Sequence, residues 1–183
     1  MIQTNPMREL VVGMDEFKMD ANTQEQCIQQ LEAMLDPPYA PGIQTAYQLH
    51  APTYLHNARN TPGLARSIIS AVRAHPTNMV IQLGGVKLFS RIVTTFTGLL
   101  NIPYVTRNLT DYSIATLMAS VNQNMHSPEL ASCCLIALCQ LVEMHSAANH
   151  VADPPFLMSG AHSIPGFAMT LMHLNPGNDR LVF

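Results

Sequence analysis

The sequence predicts an all-α chain, and three observations lead to that prediction. Apolar residues recur at helical spacing along most of the chain, beginning with Met7, Leu10, Val11 and Met14. No two runs of alternating apolar and polar residues are joined by a hairpin turn signal. Proline and glycine pairs interrupt the apolar pattern at short intervals. We therefore expect residues 1–183 to form a single domain of short helices with short connections.

The pattern predicts about ten short helices, and six apolar stripes mark the clearest of them in chain order. They are Met7/Leu10/Val11/Met14, Cys27/Ile28/Leu31/Met34/Leu35, Leu64/Ile68/Val72, Leu88/Phe89/Ile92/Val93, Leu117/Met118/Val121 and Leu130/Cys134/Leu138/Leu141/Val142. Expected helix starts are Asn22 or Thr23, Thr61-Pro62 and Ser127-Pro128-Glu129, where a capping side chain precedes the stripe. Expected breaks are Asp36-Pro37-Pro38, Pro41-Gly42, His75-Pro76, Gly84-Gly85, Ile102-Pro103, Asp153-Pro154-Pro155 and Pro176-Gly177.

The composition excludes several classes of protein. Hydrophobic residues make up 48% and charged residues only 11%, which argues against a disordered chain. A net charge of −3 argues against a nucleic-acid binder that relies on bulk charge. No apolar run approaches the ~18 residues that span a bilayer, and no secretory signal is present at the N-terminus. The low charge predicts a surface largely covered by neighbours in a larger assembly.

The cysteines predict a reduced, intracellular compartment. Cys133, Cys134 and Cys139 fall in one apolar helical stripe, as buried cysteines do, rather than in a disulfide pattern. The pair His145-x4-His150 leaves a zinc site with Cys139 as a weaker alternative. A Gly-x-Ser-x-Gly elbow and a phosphate-binding glycine loop are both missing. We therefore expect no catalytic residues, no metal and no cofactor.

The cations concentrate in the middle of the chain. Residues 37–110 contain no acidic residue, whereas the segments before and after are acidic. The cations there are Arg59, Arg66, Arg73, Lys87, Arg91 and Arg107. They either solvate separate helix faces or, in part, line one groove on equivalent helices.

Similar patterns recur along the chain and indicate an internal repeat. One pattern has anchors at Leu10, Leu55, Phe89, Leu117 and Phe167, with a mean spacing of about 39 residues, near the length of a HEAT or armadillo unit. A second pattern aligns Cys27/Leu31 with Ile68/Val72 and Cys134/Leu138. Helix pairs of this kind bury their apolar faces by stacking on one another.

Three features resemble the armadillo-repeat family over residues 7–174. They are the tract Asn78-x-x-Ile81-x-x-Gly84-Gly85-Val86, the tract Ser159-Gly160-Ala161…Ile164-Pro165, and a small residue four positions before a leucine. The resemblance implies a right-handed α-solenoid of about four degenerate repeats whose groove binds peptides or partner helices. No third helix of a unit fits between Phe96 and Tyr112, where Pro103 interrupts, and HEAT repeats or a helical bundle stay open as alternatives.

The resemblance implies that the chain acts by binding other proteins. A basic groove would use Arg66 and Arg73, with Arg59 nearby, while the absence of tryptophan excludes the peptide clamp of import receptors. The last unit looks unfinished, so either the chain is a fragment or a partner covers Leu181, Val182 and Phe183 at an open end. We expect a non-catalytic interaction scaffold in a cytoplasmic, cytoskeletal or ciliary assembly, with no nucleic-acid partner and no membrane insertion. The alternative is a helical structural subunit of an organellar complex, for example a mitochondrial one.

Overall fold

The computed structural model describes residues 6–35, 54, 57–58, 61–96, 103–149, 166 and 169. Its helices are α1 (Pro6–Glu16), α2 (Ala21–Leu35), α3 (Leu64–Ala74), α4 (Met79–Phe96), α5 (Pro103–Gln123) and α6 (Pro128–Asn149). These ranges contain no β-strand, so the predicted all-α class is confirmed for them. Among them, no helix combines the length and the hydropathy that a membrane crossing requires.

The six helices form three successive hairpins, α1–α2, α3–α4 and α5–α6. The first helices of neighbouring hairpins pack together, α1 against α3 and α3 against α5. The second helices do the same, α2 against α4 and α4 against α6. The described part of the chain is therefore arranged as two layers, with one helix of every hairpin in each layer.

The turns inside the three hairpins share one hydrogen-bond pattern. In each turn, 17–20, 75–78 and 124–127, the last amide donates to the carbonyl oxygen of the first residue, at 2.9, 3.2 and 2.9 Å. The carbonyl of the last residue then accepts from the amide four residues later, in Gln24, Gln82 and Ala131. Asp20, Asn78 and Ser127 thus occupy equivalent positions in the three hairpins. Residues that lie the same number of positions before or after these three are equivalent as well.

One continuous core runs between the layers. Its largest fully buried side chains include Met7, Met14, Ile28, Leu31, Leu35, Leu64, Ile68, Phe89, Ile92 and Leu117. These ten come from predicted stripes, because residues three and four apart on a helix share a face, whereas the equally buried Ile69 and Ile81 belong to no predicted stripe. Packing rather than intrinsic helix propensity therefore holds these short helices in place.

The structure corrects two of the three predicted helix starts. Asp20, not Asn22 or Thr23, caps α2, since its carboxylate accepts from the amides of those two residues at 3.3 Å. Thr61 does not cap α3, because its hydroxyl donates to the carbonyl of Asn57 at 2.7 Å and Gly63 occupies the cap position. The start at Ser127 is confirmed, with Ser127 Oγ accepting from the amide of Leu130 at 3.4 Å.

The predicted break at Gly84-Gly85 is wrong, because α4 runs unbroken through both glycines. They serve close packing instead of a turn. A Cβ on Gly84 would lie 2.8 Å from Ile28 Cγ2, and one on Gly85 would lie 2.6 Å from Val72 Cγ2. The missing side chains therefore let α4 approach both α2 and α3 closely. The tract from Asn78 to Val86, one of the three features that resemble the armadillo family, is therefore the capped start of α4 and not a junction between two helices.

Pro103 begins α5 rather than interrupting a helix, so residues 103–112 are helical against expectation. Proline is tolerated at the first helical position, where its missing amide would have no intrahelical partner. The other expected breaks at residues 36–38, 41–42, 153–155 and 176–177 lie outside the described residues, whereas His75-Pro76 does separate α3 from α4.

The spacing of the repeat also differs from the predicted mean of about 39 residues. Equivalent turn positions are 58 residues apart between the first and second hairpins and 49 apart between the second and third. Leu10 and Leu117 are equivalent, as predicted, but Phe89 belongs with Leu31 and Leu138 on the second helices. The anchors Leu55 and Phe167 lie outside the described residues.

Candidate partner-binding surface

The predicted cations Arg66 and Arg73 share one exposed face of α3. Their spacing of seven residues places them two helical turns apart, with Ser70 between them. Both arginines are exposed and Ser70 is half-buried. The two guanidinium groups therefore lie on the outer side of the first layer, where they can meet a partner. The other predicted site residues, Arg59, Leu181, Val182 and Phe183, lie outside the described residues.

Tyr112 on α5 completes this surface, and the sequence analysis did not identify it. The Arg73 guanidinium carbon lies 5.0 Å from the centre of the Tyr112 ring, a cation–π distance. The Tyr112 hydroxyl donates to Ser70 Oγ at 3.5 Å, at the outer limit of a hydrogen bond. These contacts hold Arg73 against α5 and join the second hairpin to the third.

The hairpin register changes which residues count as equivalents of the arginines. The sequence pattern that aligns Ile68/Val72 with Cys27/Leu31 and Cys134/Leu138 pairs the arginines with Glu25/Glu32 and Ser132/Cys139, which lie on second helices. In the structure, α3 corresponds to α1 and α5, so the equivalents are Arg8 and Asp15 on α1 and Ala115 and Asn122 on α5. Lys87 and Arg91 lie on α4, in the other layer. The arginine pair is thus a local feature of the second hairpin.

Two buried glutamines hold the ends of the first helices. Gln24 Nε2 donates to the carbonyl oxygens of Met14 (2.8 Å) and Phe17 (3.0 Å). Gln82 Nε2 donates in the same way to the carbonyl oxygens of Val72 (2.6 Å) and His75 (3.0 Å). In the second hairpin, Val72 and His75 occupy the positions that Met14 and Phe17 occupy in the first. The last carbonyls of a helix have no intrahelical partner, so these amides satisfy groups that burial would otherwise leave unpaired. We call this arrangement the glutamine clamp.

The second clamp also reaches the third hairpin. Ser120 on α5 donates from its hydroxyl to Gln82 Oε1, so the amide is bonded at both ends. Burial strongly raises the pKa of the Cys134 thiol on α6. The hydrogen bond between Ser120 and Gln82 therefore links α5 to α4 inside the core.

Further polar contacts join neighbouring hairpins at the surface. Ser67 donates to Asp15 at 2.7 Å, and Asn78 donates to Glu25 at 3.3 Å. Lys87 and Glu129 form an ion pair at 2.8 Å, which raises the pKa of the lysine through its hydrogen bond to the carboxylate. Exposed pairs of this kind contribute at most about 1 kcal/mol each.

The burial predicted for the cysteines of the apolar stripe is confirmed for Cys134 and wrong for Cys139, which is exposed. Cys27 and Cys134 are buried, and burial raises the pKa of both thiols, which disfavours the reactive thiolate. Cys133 is half-buried and Cys139 is exposed on α6. Within the described ranges, no three histidine, cysteine or acidic side chains come together as metal ligands. His150, from the alternative zinc pattern, lies outside those ranges.

Large apolar side chains are also exposed in and beside the hairpin turns, and the sequence pattern did not predict this exposure. Phe17, Met19 and Met125 lie in turns, and Met79 and Val80 open α4 immediately after one. The available signal was the position of large apolar residues beside helix ends, where turn-forming polar residues are the norm.

Comparison of the chain with protein-family models, curated proteins and solved structures finds no match.

Proposed function

We propose that this protein is a non-catalytic protein–protein interaction scaffold built as an α-solenoid of helical hairpins. The observation that carries the proposal is the stacking of three hairpins with equivalent turns, first helix on first helix and second helix on second helix. Stacked hairpins bury a shared core and leave extended helix faces exposed, which is how solenoid proteins present binding surfaces.

The repeated unit supports a two-helix repeat of the HEAT type more than a three-helix armadillo unit. Each described hairpin contains two helices, and the glutamine clamp recurs once per hairpin in the first two. Two-helix units of roughly 40 to 47 residues are typical of HEAT arrays, and the offset of 49 residues between the second and third hairpins is close to that length. The offset of 58 residues between the first and second hairpins includes the longer connection over residues 36–63. Membership of the armadillo family remains a prediction from the sequence.

The binding face we propose is the outer side of α3, with Arg66 and Arg73 as its contacts. Both guanidinium groups are exposed, and one is held in place by Tyr112. Arginines held in one orientation lose less conformational freedom when they bind a carboxylate, and they form paired hydrogen bonds with it. The partner we propose for this face is therefore a protein with acidic residues at the contact.

Affinity capture of the tagged 183-residue chain from native extract, followed by cross-linking and mass spectrometry, tests the proposal. We expect stoichiometric partners whose cross-linked segments are acidic, and their loss when Arg66→Glu is combined with Arg73→Glu. The matched control combines Arg8→Glu with Gln26→Glu and Gln30→Glu, which makes the same total change in charge at exposed positions of the first hairpin. Capture without stoichiometric partners would contradict the scaffold function, whereas equal loss in both variants would contradict only the α3 face.

A further inference from the structure

The hairpin turns lie side by side and form one edge of the helical array. His75 Nε2 lies 2.9 Å from the carbonyl oxygen of Lys18, so the second turn contacts the first. Asn124 Nδ2 donates to the carbonyl oxygen of Pro76 at 3.1 Å, so the third turn contacts the second. We call this surface the turn edge and define it as residues 16–22, 75–80 and 124–129.

The turn edge collects most of the exposed large apolar side chains. Eight such side chains are exposed among the described residues, and five of them belong to this edge. The five are Phe17 (54% exposed), Met19 (73%), Met79 (39%), Val80 (41%) and Met125 (39%). The other three, Val12, Ile136 and Met169, lie elsewhere. Scattered apolar residues need no explanation, but a concentration on one edge marks a site of interaction.

Acidic residues border this apolar surface. Glu16 and Asp20 are exposed on either side of Phe17 and Met19, and Glu129 lies at the far end of the edge. Lys18 is the one lysine or arginine that the three segments contain. Asp20 accepts hydrogen bonds from Thr23 and Asn22, which lower the pKa of its carboxyl and keep it ionised. Because Glu129 is paired with Lys87, the negative part of the border at neutral pH is formed by Glu16 and Asp20 beside Phe17 and Met19.

We propose that the turn edge docks a basic amphipathic helix from a partner protein. This proposal rests on the proposed scaffold function and adds a second contact surface to it. Methionine side chains are flexible and polarizable, so three of them beside a phenylalanine adapt to the apolar face of a helix. The acidic border complements lysine or arginine residues that flank such an apolar face. Charge complementarity thus selects a basic helix as the occupant.

Purified full chain and synthetic helical peptides test this proposal by fluorescence anisotropy. The probe contains only leucine and lysine, with leucines at helical spacing. One comparison peptide carries glutamate in place of every lysine, and another has the leucine–lysine sequence scrambled. We expect saturable binding of the leucine–lysine helix, weaker binding of both comparison peptides, and a further loss when Glu16→Lys is introduced or salt is raised.

Matched variants localise the binding. Phe17→Ser with Met79→Ser removes two apolar side chains from the turn edge, and we expect it to weaken binding by about tenfold. Val12→Ser with Ile136→Ser removes two side chains of similar exposure from elsewhere and leaves binding unchanged. Circular dichroism of both variants checks that they fold.

Four outcomes would overturn the turn-edge proposal. They are no saturable binding, equal binding of the glutamate peptide, equal loss in both variant pairs, and occupation of the edge by something else. Self-association that only the edge variant abolishes would identify a second copy as the occupant. Sedimentation with anionic vesicles that only the edge variant abolishes would identify a membrane. In each case the α3 variants in native extract still test the scaffold function separately.

Discussion

The first two hairpins and the third use different side chains to bond the carbonyl groups at the end of the first helix. In the first two, Gln24 and Gln82 reach from the second helix to the last carbonyls of the first. In the third, the equivalent residue is the fully buried Ala131, and Asn124 in the turn donates to the carbonyl of Ser120 at 2.9 Å instead. The turn geometry is therefore kept while the residue that satisfies the helix end changes. A repeat can persist in backbone hydrogen bonds after its side-chain signature is lost.

The largest effect should come from removing a glutamine clamp. Gln82→Met keeps the side-chain volume but removes the donor to Val72 and His75 and the acceptor for Ser120. Leaving buried polar groups unpaired costs about 1–3 kcal/mol, so we expect a loss of about 3 kcal/mol in the free energy of unfolding. Gln24→Met should cost about 2 kcal/mol, because Gln24 makes two such bonds. Urea denaturation measures both.

The control for the clamp variants is Gln26→Met. Gln26 is an exposed glutamine on the same helix as Gln24, with a contact of 3.4 Å to Asn22. Substitution of such a surface residue changes stability by about 0.5 kcal/mol or less. If Gln82→Met costs no more than this control, the clamp does not stabilise the hairpin.

Transplanting the clamp into the third hairpin sharpens the comparison. Ala131 has no exposed surface, so Ala131→Gln adds four heavy side-chain atoms beyond Cβ, two of them polar, to a packed site. We expect a destabilisation of about 2 kcal/mol from overpacking. Thermal unfolding measures it, with Ile136→Gln on the exposed side of α6 as the control. A gain in stability would show that the third hairpin retains room for the clamp.

Two glycines allow the packing inside hairpins to be compared. Gly85→Ala should destabilise the protein by about 1–2 kcal/mol, because the new methyl group would lie 2.6 Å from Val72 Cγ2. Gly13→Ala should stabilise it by about 0.5–1 kcal/mol, because the nearest atom, Cys27 Sγ, is 3.9 Å away and alanine favours helix. Denaturant unfolding of both variants measures the sign of each change in the free energy of unfolding. Stabilisation by Gly85→Ala would contradict the close approach of α3 and α4, and destabilisation by Gly13→Ala would contradict the open space beside Gly13.

The caps of the second helices differ in their response to pH, and this effect should be the smallest. Asp20, Asn78 and Ser127 occupy equivalent positions, but only the first can lose its charge. The folded-state pKa of Asp20 is lowered, so its contribution is present above the unfolded pKa near 4 and is lost as the pH falls through the folded value.

An acid titration of the wild type and of Asp20→Asn measures this contribution. We expect the difference in unfolding free energy between the two proteins to shrink as the pH is lowered through the range below about 4, because the wild-type cap loses its charge there. Asn78→Ser, which exchanges one neutral cap for another, controls for changes in the cap itself. A difference between wild type and Asp20→Asn that is independent of pH would contradict a charged cap.

Much of the helical content followed from local pattern, and the rest depended on contacts between helices. The stripes around Met14, Ile28 and Leu138 predicted buried faces correctly, because a helix face depends only on spacing. Gly84 and Gly85 were misread as a turn because a glycine pair has the same sequence signal in a turn as at a close helix crossing. Only the position of Val72 on another helix distinguishes the two.

The candidate surface was predictable in part for the same reason. Exposure of Arg66 and Arg73 follows from their place on the polar side of the α3 stripe. The contact of Arg73 with Tyr112 depends on the packing of α5 beside α3, and a local sequence pattern does not predict which helices pack together. The glutamine clamp was missed because Gln24 and Gln82 resemble ordinary helix-surface residues until the neighbouring helix end is in place.

The unequal linkers between hairpins have a kinetic consequence. Residues 36–63 separate α2 from α3, whereas only residues 97–102 separate α4 from α5. The number of residues that contacts between neighbouring hairpins must bridge is therefore smaller for the second and third hairpins than for the first and second. Contacts that close short loops tend to form early in folding. The second and third hairpins should therefore assemble first and offer a ready surface on which the first hairpin docks.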